Sequence, residues 1–262
     1  MTHQIRSLSN IALFLGVVSV NYLANALPIN GVTQKELSAE YFIHITPAGY
    51  VFSIWGIIYL GLTAYVVLQA LPKSRSSRAI RSLDWPFSLS CLFNMLWLIV
   101  WHHRLLAVSV VMMLGLLGSL MMAYVRLEDK HNEGAFPWFV PKTFGVYLGW
   151  VGLATILNIS IWLDSLGWTG APLAPQAWGG ILLGIACLLY LYLGFSRRDL
   201  AIPSVLAWAS LGIGIKNQAE PLIWISSLTV CGICLISLLV IVFFVRDSRK
   251  DSLENRFSAA NN

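Results

Sequence analysis

The sequence predicts an all-α fold, a polytopic bundle of helices that crosses a lipid bilayer several times. Of its 262 residues, 57% are hydrophobic and only 11% are charged. The apolar residues form runs close to the length of about 17 to 25 residues that a membrane-spanning helix needs. The lysines and arginines lie mostly in short stretches between those runs. Together these observations exclude a soluble globular protein.

Eight apolar runs are candidate spans: 9–27, 48–71, 85–102, 105–126, 141–163, 176–195, 200–215 and 222–245. The seventh run is short, begins beside Pro203 and contains Gly212 and Gly214 near its end, so seven spans with one re-entrant segment are an alternative. Glycines and prolines interrupt the apolar pattern at 164–176. We therefore divide the chain into a five-helix unit (1–163), a three-helix extension (164–245) and a polar tail (246–262).

Basic residues predict the orientation, because lysine and arginine near span ends favour the cytoplasmic side. One side of an eight-span topology holds Arg6, Lys73, Arg75, Arg78, Arg81, Arg126, Lys130, Arg197, Arg198, Arg246, Arg249, Lys250 and Arg256. The other side holds Lys35, Arg104 and Lys216, and Lys142 lies inside the fifth span. Both termini are therefore expected in the cytoplasm. Topology and anionic lipid headgroups explain the net charge of +5, and no basic patch interleaved with aromatic residues indicates nucleic-acid binding.

Several weaker signals favour ordinary structural roles. Arg6, the apolar run that follows and Ala24-Asn25-Ala26 resemble a cleavable signal peptide, but Asn21 interrupts the run and we expect a retained span. Cys231-x-x-Cys234 has redox or metal spacing, yet it lies in an uninterrupted apolar run, where small-residue packing is expected. We expect His44, His102 and His103 to be exposed near the outer side and to bind no metal, because no carboxylate or cysteine accompanies them at ligand spacing.

Tryptophan, tyrosine and asparagine recur at helical spacing in four predicted spans. Side chains three, four or seven residues apart share one helix face. These residues are Asn21 in the first span, Trp55 and Tyr59 in the second, Asn94, Trp97 and Trp101 in the third, and Trp150, Ala154 and Asn158 in the fifth. Amides at bilayer depth usually face a bundle interior or a cavity. The coincidence of these stripes predicts a pocket for a flat, mostly apolar ligand in the outer half of the bundle.

Two bland interpretations compete with the pocket. Tryptophans near span ends often anchor a helix at the membrane interface, which is the role expected for Trp101, Trp138, Trp162, Trp168 and Trp178. Intramembrane asparagines often form only hydrogen bonds between helices. The polar outer loop 28–47 is long enough to fold over the bundle, and we consider it a candidate lid.

Three segments within residues 9–163 resemble motifs of the TspO/MBR family, the tryptophan-rich sensory proteins related to the mitochondrial translocator protein. Residues 147–158 read Y-L-G-W-V-G-L-A-T-I-L-N, similar to the family's P-Y-x-x-W-x-x-F-A-T-x-L-N. Residues 92–101 read L-F-N-M-L-W-L-I-V-W, similar to L-x-N-x-x-W-x-x-x-F. Residues 46–59 read T-P-A-G-Y-V-F-S-I-W-G-I-I-Y and resemble P-P-x-x-x-F-G-P-x-W-x-x-x-Y, but are one residue shorter before the tryptophan and lack its internal proline.

The resemblance implies a five-helix bundle that binds porphyrin or haem in tetrapyrrole sensing, regulation or transport. The ligand-binding residues would be Asn21, Trp55, Tyr59, Asn94, Trp97, Trp150, Ala154 and Asn158. Some family members promote protoporphyrin breakdown with pocket tryptophans, which would correspond to Trp55 and Trp150. No cofactor is required, a homodimer is left open, and the plasma membrane of a bacterium is the expected location.

Two other classes of function stay open. Eight spans exceed what a five-helix family member needs, so a secondary transporter of a small amphipathic or tetrapyrrole-like substrate is the leading alternative. Against it, no span contains an evident aspartate, glutamate or arginine to couple ions. The other class is a structural or assembly partner of another membrane complex. No Ser/His/Asp set or phosphate-binding glycine loop supports hydrolase or kinase chemistry.

Overall fold

The computed structural model describes residues 3–27, 29–33, 36–37, 40–41, 43–72, 77–131 and 136–260, with the side chains of 3–4, 25, 78–79, 128–131 and 245–260 excepted. Eight long helices lie within these residues. They are α1 (His3–Ala26), α2 (Ile54–Ala70), α3 (Asp84–His102), α4 (Leu106–His131), α5 (Phe139–Ser165), α6 (Pro175–Arg197), α7 (Ala201–Lys216) and α8 (Pro221–Ala260). A 3₁₀ turn, Gly49–Ser53, precedes α2, and a short helix, Arg78–Ser82, precedes α3.

The predicted all-α membrane bundle is confirmed. Six segments of the described chain are long and apolar enough to cross a bilayer: Ile5–Ala24, Gly49–Ala70, Leu106–Leu127, Phe139–Ser165, Pro175–Arg197 and Pro221–Phe244. The other two predicted spans, α3 and α7, are helices that do not meet that standard. Asp84 and Asn94 lower the mean hydropathy of α3. α7 has 16 residues, a length of about 24 Å at the helical rise of about 1.5 Å per residue.

α5 is the central helix of the bundle. It packs against α2, α4, α6 and α7, while α3 packs between α1 and α4, and α8 packs against α6 and α7. α7 is one continuous helix with most of its side chains buried, so its neighbours shield it from lipid. α8 continues as a helix through the predicted polar tail to Ala260.

α6 and α7 pack against a glycine stripe on α5, formed by Gly145, Gly149 and Gly152. A Cβ atom added at Gly145 would lie 3.0 Å from both the Ala201 Cβ and the Asp199 Oδ2. A Cβ added at Gly149 would lie 3.3 Å from the Val205 Cβ, and one at Gly152 would lie 2.7 Å from the Tyr190 hydroxyl. The Tyr190 hydroxyl donates a hydrogen bond to the Gly149 carbonyl. Small residues of this kind let two backbones approach closely inside a membrane.

We call the end of the bundle that contains residues 102–106, 165–175 and 216–221 the outer end, following the predicted orientation, and the opposite end the inner end. At the inner end, the buried Asp199 connects three helices. Its carboxylate accepts hydrogen bonds from the Tyr124 hydroxyl (2.6 Å), the Lys142 ammonium (3.2 Å) and the Ala201 backbone N–H (2.7 Å). α4, α5 and the first turn of α7 are thereby held together.

The described part of the predicted lid lies across the outer end. The Asn30 side chain donates to the His102 carbonyl (3.1 Å), and Arg104 forms an ion pair with Glu40 (2.6 Å). Ala48 donates its backbone N–H to the Gly212 carbonyl (3.1 Å). The segment 43–53, which we call the entrance segment, thus connects the outer end of α7 to the start of α2.

Candidate functional site

Five aromatic side chains form a cluster between the entrance segment, α2 and α5. Trp55 stacks on Tyr59, with ring centroids 5.4 Å apart, and meets Tyr147 and Trp150 edge-on at 5.8 Å and 6.3 Å. Phe52 meets Trp150 edge-on at 5.5 Å. Helical spacing brings Trp55 and Tyr59 to one face of α2 and Tyr147 and Trp150 to one face of α5. The structure therefore brings together three of the predicted site residues, Trp55, Tyr59 and Trp150.

The predicted asparagines take part in hydrogen bonds between helices. The Asn21 amide donates to the Asn94 Oδ1 (3.1 Å), and the Asn94 amide donates to the Tyr147 hydroxyl (2.9 Å). Asn158 accepts a hydrogen bond from the Ser109 hydroxyl on α4 (3.0 Å). Asn94 and Asn158 are buried. Asn21 and Asn94 thus extend the aromatic cluster through Tyr147, whereas Asn158 forms a separate contact between α4 and α5.

Four buried donors in the predicted Trp/Tyr/Asn stripes have no hydrogen-bond partner among the described residues. They are the hydroxyl of Tyr59 and the indole N–H groups of Trp97, Trp101 and Trp150. Leaving a buried donor unpaired costs about 1–3 kcal/mol. Two of the four, Tyr59 and Trp150, belong to the aromatic cluster, so a ligand that offers acceptor atoms there would gain hydrogen bonds that the protein lacks.

A small apolar cavity adjoins this cluster, which we call the inner cavity. Its volume is about 50 Å³, and its walls include Trp150 and Ala154 of α5. The remaining lining residues are Leu153, Ile156 and Leu157 of α5, Ile45, Pro47 and Phe52 of the entrance segment, Leu182, Leu183 and Ala186 of α6, and Ala209 and Ile213 of α7. Trp55, Tyr59, Asn94, Trp97 and Asn158 do not line it.

A larger cavity of about 410 Å³ lies beyond it at the outer end, and we call it the outer cavity. It is bounded by the end of α5, the connection to α6 and the first turns of α6. Ile45 and Leu182 line both cavities, so these two side chains separate them. The outer cavity is more polar, since Ser160, Asp164 and Thr169 are among its lining residues.

Two predictions about individual outer-end residues are wrong. Trp101 is only 4% exposed, so it is not a lipid-facing anchor; its ring stacks on Trp97 and packs against Tyr41. His102 is buried, not exposed, and its Nδ1 lies 2.8 Å from the Leu98 carbonyl. In both cases described residues of the outer loop cover the end of α3: Tyr41 packs against Trp101, and the Asn30 side chain donates to the His102 carbonyl. The helical pattern did not predict this packing.

Sequence reasoning also missed the walls that α6 and α7 supply to the inner cavity. Leu182, Ala186 and Ala209 are ordinary apolar helix residues, and nothing in their spacing distinguishes a cavity wall from a lipid-facing or packed position. A usable signal was Gly149 and Gly152 beside Trp150, because small residues on that face indicate closely packed neighbours. Within the described part of the chain, no group of three or more His, Cys, Asp or Glu side chains is arranged to hold a metal ion.

Comparison with known families decides the assignment. The family model described as TSPO-like protein matches residues 7–244. The chain belongs to the TSPO-like protein family. The TspO/MBR resemblance of the first five helices is thus confirmed. In this TSPO-like protein the match also includes α6, α7 and the apolar part of α8, while the proposed division at 163 and 164 stays a prediction. No curated protein and no solved structure matches the chain.

Proposed function

We propose that this TSPO-like membrane protein binds a flat, mostly apolar ligand of the tetrapyrrole class, such as porphyrin or haem, and acts as a sensor or regulator. The observation that carries the proposal is the position of Trp150 and Ala154. Both belong to the strongest family motif, and both line the apolar inner cavity. The adjoining aromatic cluster offers ring faces for stacking and two unpaired donors for the polar edge of a ligand.

Ligand entry requires the cavity to enlarge. Pockets for small molecules usually measure about 300–1,000 Å³, whereas the inner cavity measures about 50 Å³. Only the Ile45 and Leu182 side chains separate the inner cavity from the outer cavity, and Ile45 belongs to the entrance segment. Displacement of this segment would join the two cavities. We therefore propose that the entrance segment moves when the ligand binds, which would give the protein two states and hence a basis for signalling.

Filling the inner cavity should weaken ligand binding. Ala154→Phe adds a ring to the cavity wall, and we expect it to weaken protoporphyrin IX binding at least about tenfold, which corresponds to about 1.4 kcal/mol. The matched control is Ala107→Phe, because Ala107 lies exposed on the outer part of α4. Affinities are measured from the shift of the porphyrin absorbance band in purified, detergent-solubilised protein.

Three results of this titration contradict the proposal. They are absence of saturable binding of either protoporphyrin IX or haem at micromolar concentration, an unchanged affinity in Ala154→Phe, and an equal loss in Ala107→Phe. A thermal unfolding curve of each variant, recorded without ligand, separates loss of the site from loss of the fold.

We further propose that both termini are cytoplasmic and that the protein resides in a bacterial plasma membrane. The inner end is expected to face the cytoplasm because Arg6, Arg126 and Lys142 lie there with Asp84 and Asp199 as partners or neighbours. A cytoplasm-active reporter fused at Asp251 should be active, and one inserted at Gly31 should be silent. Activity at Gly31 would reverse the orientation.

A further inference from the structure

The outer cavity has features that the proposed tetrapyrrole site does not use. We propose that it is a separate binding site for an organic ammonium group attached to a small apolar body. A carboxylate, two indole rings and a volume of about 410 Å³ come together in it. This inference does not depend on ligand binding at Trp150.

The two indole rings are Trp168 and Trp178, whose ring centroids lie 5.2 Å apart with 56° between the planes. The segment between α5 and α6 holds the Trp178 ring in place, because the Trp178 indole N–H donates to the Gly170 carbonyl (2.7 Å). Gly170 has a φ of +77°, and a Cβ atom there would lie 2.6 Å from the Trp178 ring. Glycine is therefore needed at this position both for the backbone conformation and for the ring.

Gly179 closes the opposite wall. A Cβ atom at this position of α6 would lie 2.6 Å from the Ile223 Cδ1 and 3.4 Å from the Ile45 Cγ2. The missing side chain lets α6 approach both α8 and the entrance segment. The cavity is thus bounded by well-packed helix ends, with the tryptophan pair on one side.

The charge of the cavity favours a cation. Asp164 is exposed at the end of α5, and its carboxylate forms no hydrogen bond or ion pair with any described residue. Among the described residues that line the cavity, none is a lysine or an arginine. Indole faces attract ammonium groups through the ring quadrupole, and an adjacent carboxylate adds direct attraction. An anionic ligand would instead meet the Asp164 charge without a basic partner.

Two sources could supply this chemistry at the outer end of a membrane protein. One is a water-soluble ammonium compound, and the other is the ammonium headgroup of a lipid such as phosphatidylethanolamine. Both would place a positive charge beside Asp164 and Trp168 and an apolar portion toward Ile45 and Leu182. The shared chemistry is the proposal, and the experiment distinguishes the sources.

The test compares three probes of the same shape and different charge. They are choline, the neutral 3,3-dimethylbutan-1-ol and the anionic 3,3-dimethylbutanoate. Isothermal titration calorimetry is performed on the full chain in dodecyl maltoside at pH 8. We expect choline to bind at least about tenfold more tightly than the alcohol, and the carboxylate to show no saturable binding. Two results would overturn the proposal. One is a similar affinity for all three probes, and the other is a choline Kd weaker than about 20 mM, which corresponds to about 2.3 kcal/mol of binding free energy.

Variants locate the site. Asp164→Asn removes the charge and Trp168→Leu removes one of the two indole rings, so each should weaken choline binding at least about fivefold. Both side chains are exposed, so neither replacement opens a hole in the buried core. Glu220→Gln removes a carboxylate elsewhere at the outer end and should leave the affinity unchanged. An equal loss in Glu220→Gln would mean general surface attraction and would overturn the assignment, as would full affinity in Asp164→Asn.

The lipid arm repeats the choline titration in nanodiscs with and without phosphatidylethanolamine. A lower apparent choline affinity in the ethanolamine lipid identifies the headgroup as an occupant, and an unchanged affinity identifies a soluble ammonium compound. Protoporphyrin IX is titrated in parallel. If only protoporphyrin IX fails to bind, the proposed function is contradicted and the ammonium site is not. If only choline fails to bind, the ammonium site is contradicted and the proposed function is not.

Discussion

Gly212→Ala is expected to destabilise the protein by about 1–3 kcal/mol, the usual cost of forcing extra atoms into a packed interior. The added Cβ atom would lie 2.1 Å from the Val51 Cγ2 and 3.6 Å from the Pro47 Cβ. It must therefore push the entrance segment away from α7, which also strains the hydrogen bonds from Ala48 to the Gly212 carbonyl and from Trp208 to the Val51 carbonyl. Thermal unfolding of the detergent-solubilised protein measures the loss.

Gly184→Ala on α6 is the matched control, because a Cβ atom there meets nothing within 4 Å. Alanine is a better helix former than glycine by about 0.8–1.0 kcal/mol, so this variant should be at least as stable as the wild type. Val51→Ala should reduce the cost of Gly212→Ala, since the Cβ of residue 51 lies at an acceptable 3.5 Å. Equal losses in both glycine variants, or strict additivity in the double variant, would contradict this account.

Asp199→Ala is expected to cost roughly 3 kcal/mol, because it leaves buried donors without an acceptor. The largest part should come from the Tyr124 hydroxyl and the Ala201 backbone N–H, since the Lys142 side chain is 43% exposed and can turn toward water. α4, α5 and α7 would lose their common contact at the inner end. The measurement is the free energy of unfolding in detergent.

Tyr124→Phe provides the internal comparison for this prediction. It removes one donor to Asp199 and should cost only about 1 kcal/mol. Asp164→Ala removes an exposed carboxylate that has no described partner, and it should change stability little. If Asp199→Ala unfolds at the same temperature as Asp164→Ala, the inner-end network contributes nothing to stability.

The helices could be predicted from the sequence because lipid restricts the available structures. Runs of about 20 apolar residues in a bilayer must satisfy their own backbone hydrogen bonds, and helices do so. The observed α5, Phe139–Ser165, and α6, Pro175–Arg197, lie within two residues of the predicted spans at each end. The packing of the entrance segment could not be predicted in the same way, because irregular backbone has no repeating spacing that indicates which side chains share a face.

The candidate site was only partly predictable for a related reason. Helical spacing correctly assigns Trp55 with Tyr59, and Trp150 with Ala154, to shared faces, because it depends on one helix at a time. It does not specify which helix lies opposite each face. Asn158 and Trp150 share a stripe in the sequence, yet Asn158 bonds to Ser109 of α4 while Trp150 lines a cavity beside α6 and α7.

The glycine stripe of α5 has a consequence for how the molecule is assembled. A chain is synthesised from its N-terminus, so α5 enters the bilayer before α6 and α7 exist. Until residues 190–205 follow, lipid tails must fill the groove at Gly145, Gly149 and Gly152 that Tyr190, Ala201 and Val205 later occupy. The first five helices would then form an assembly intermediate that lacks α6 and α7. A chain ended after α5 would therefore lack the surface that completes its central helix.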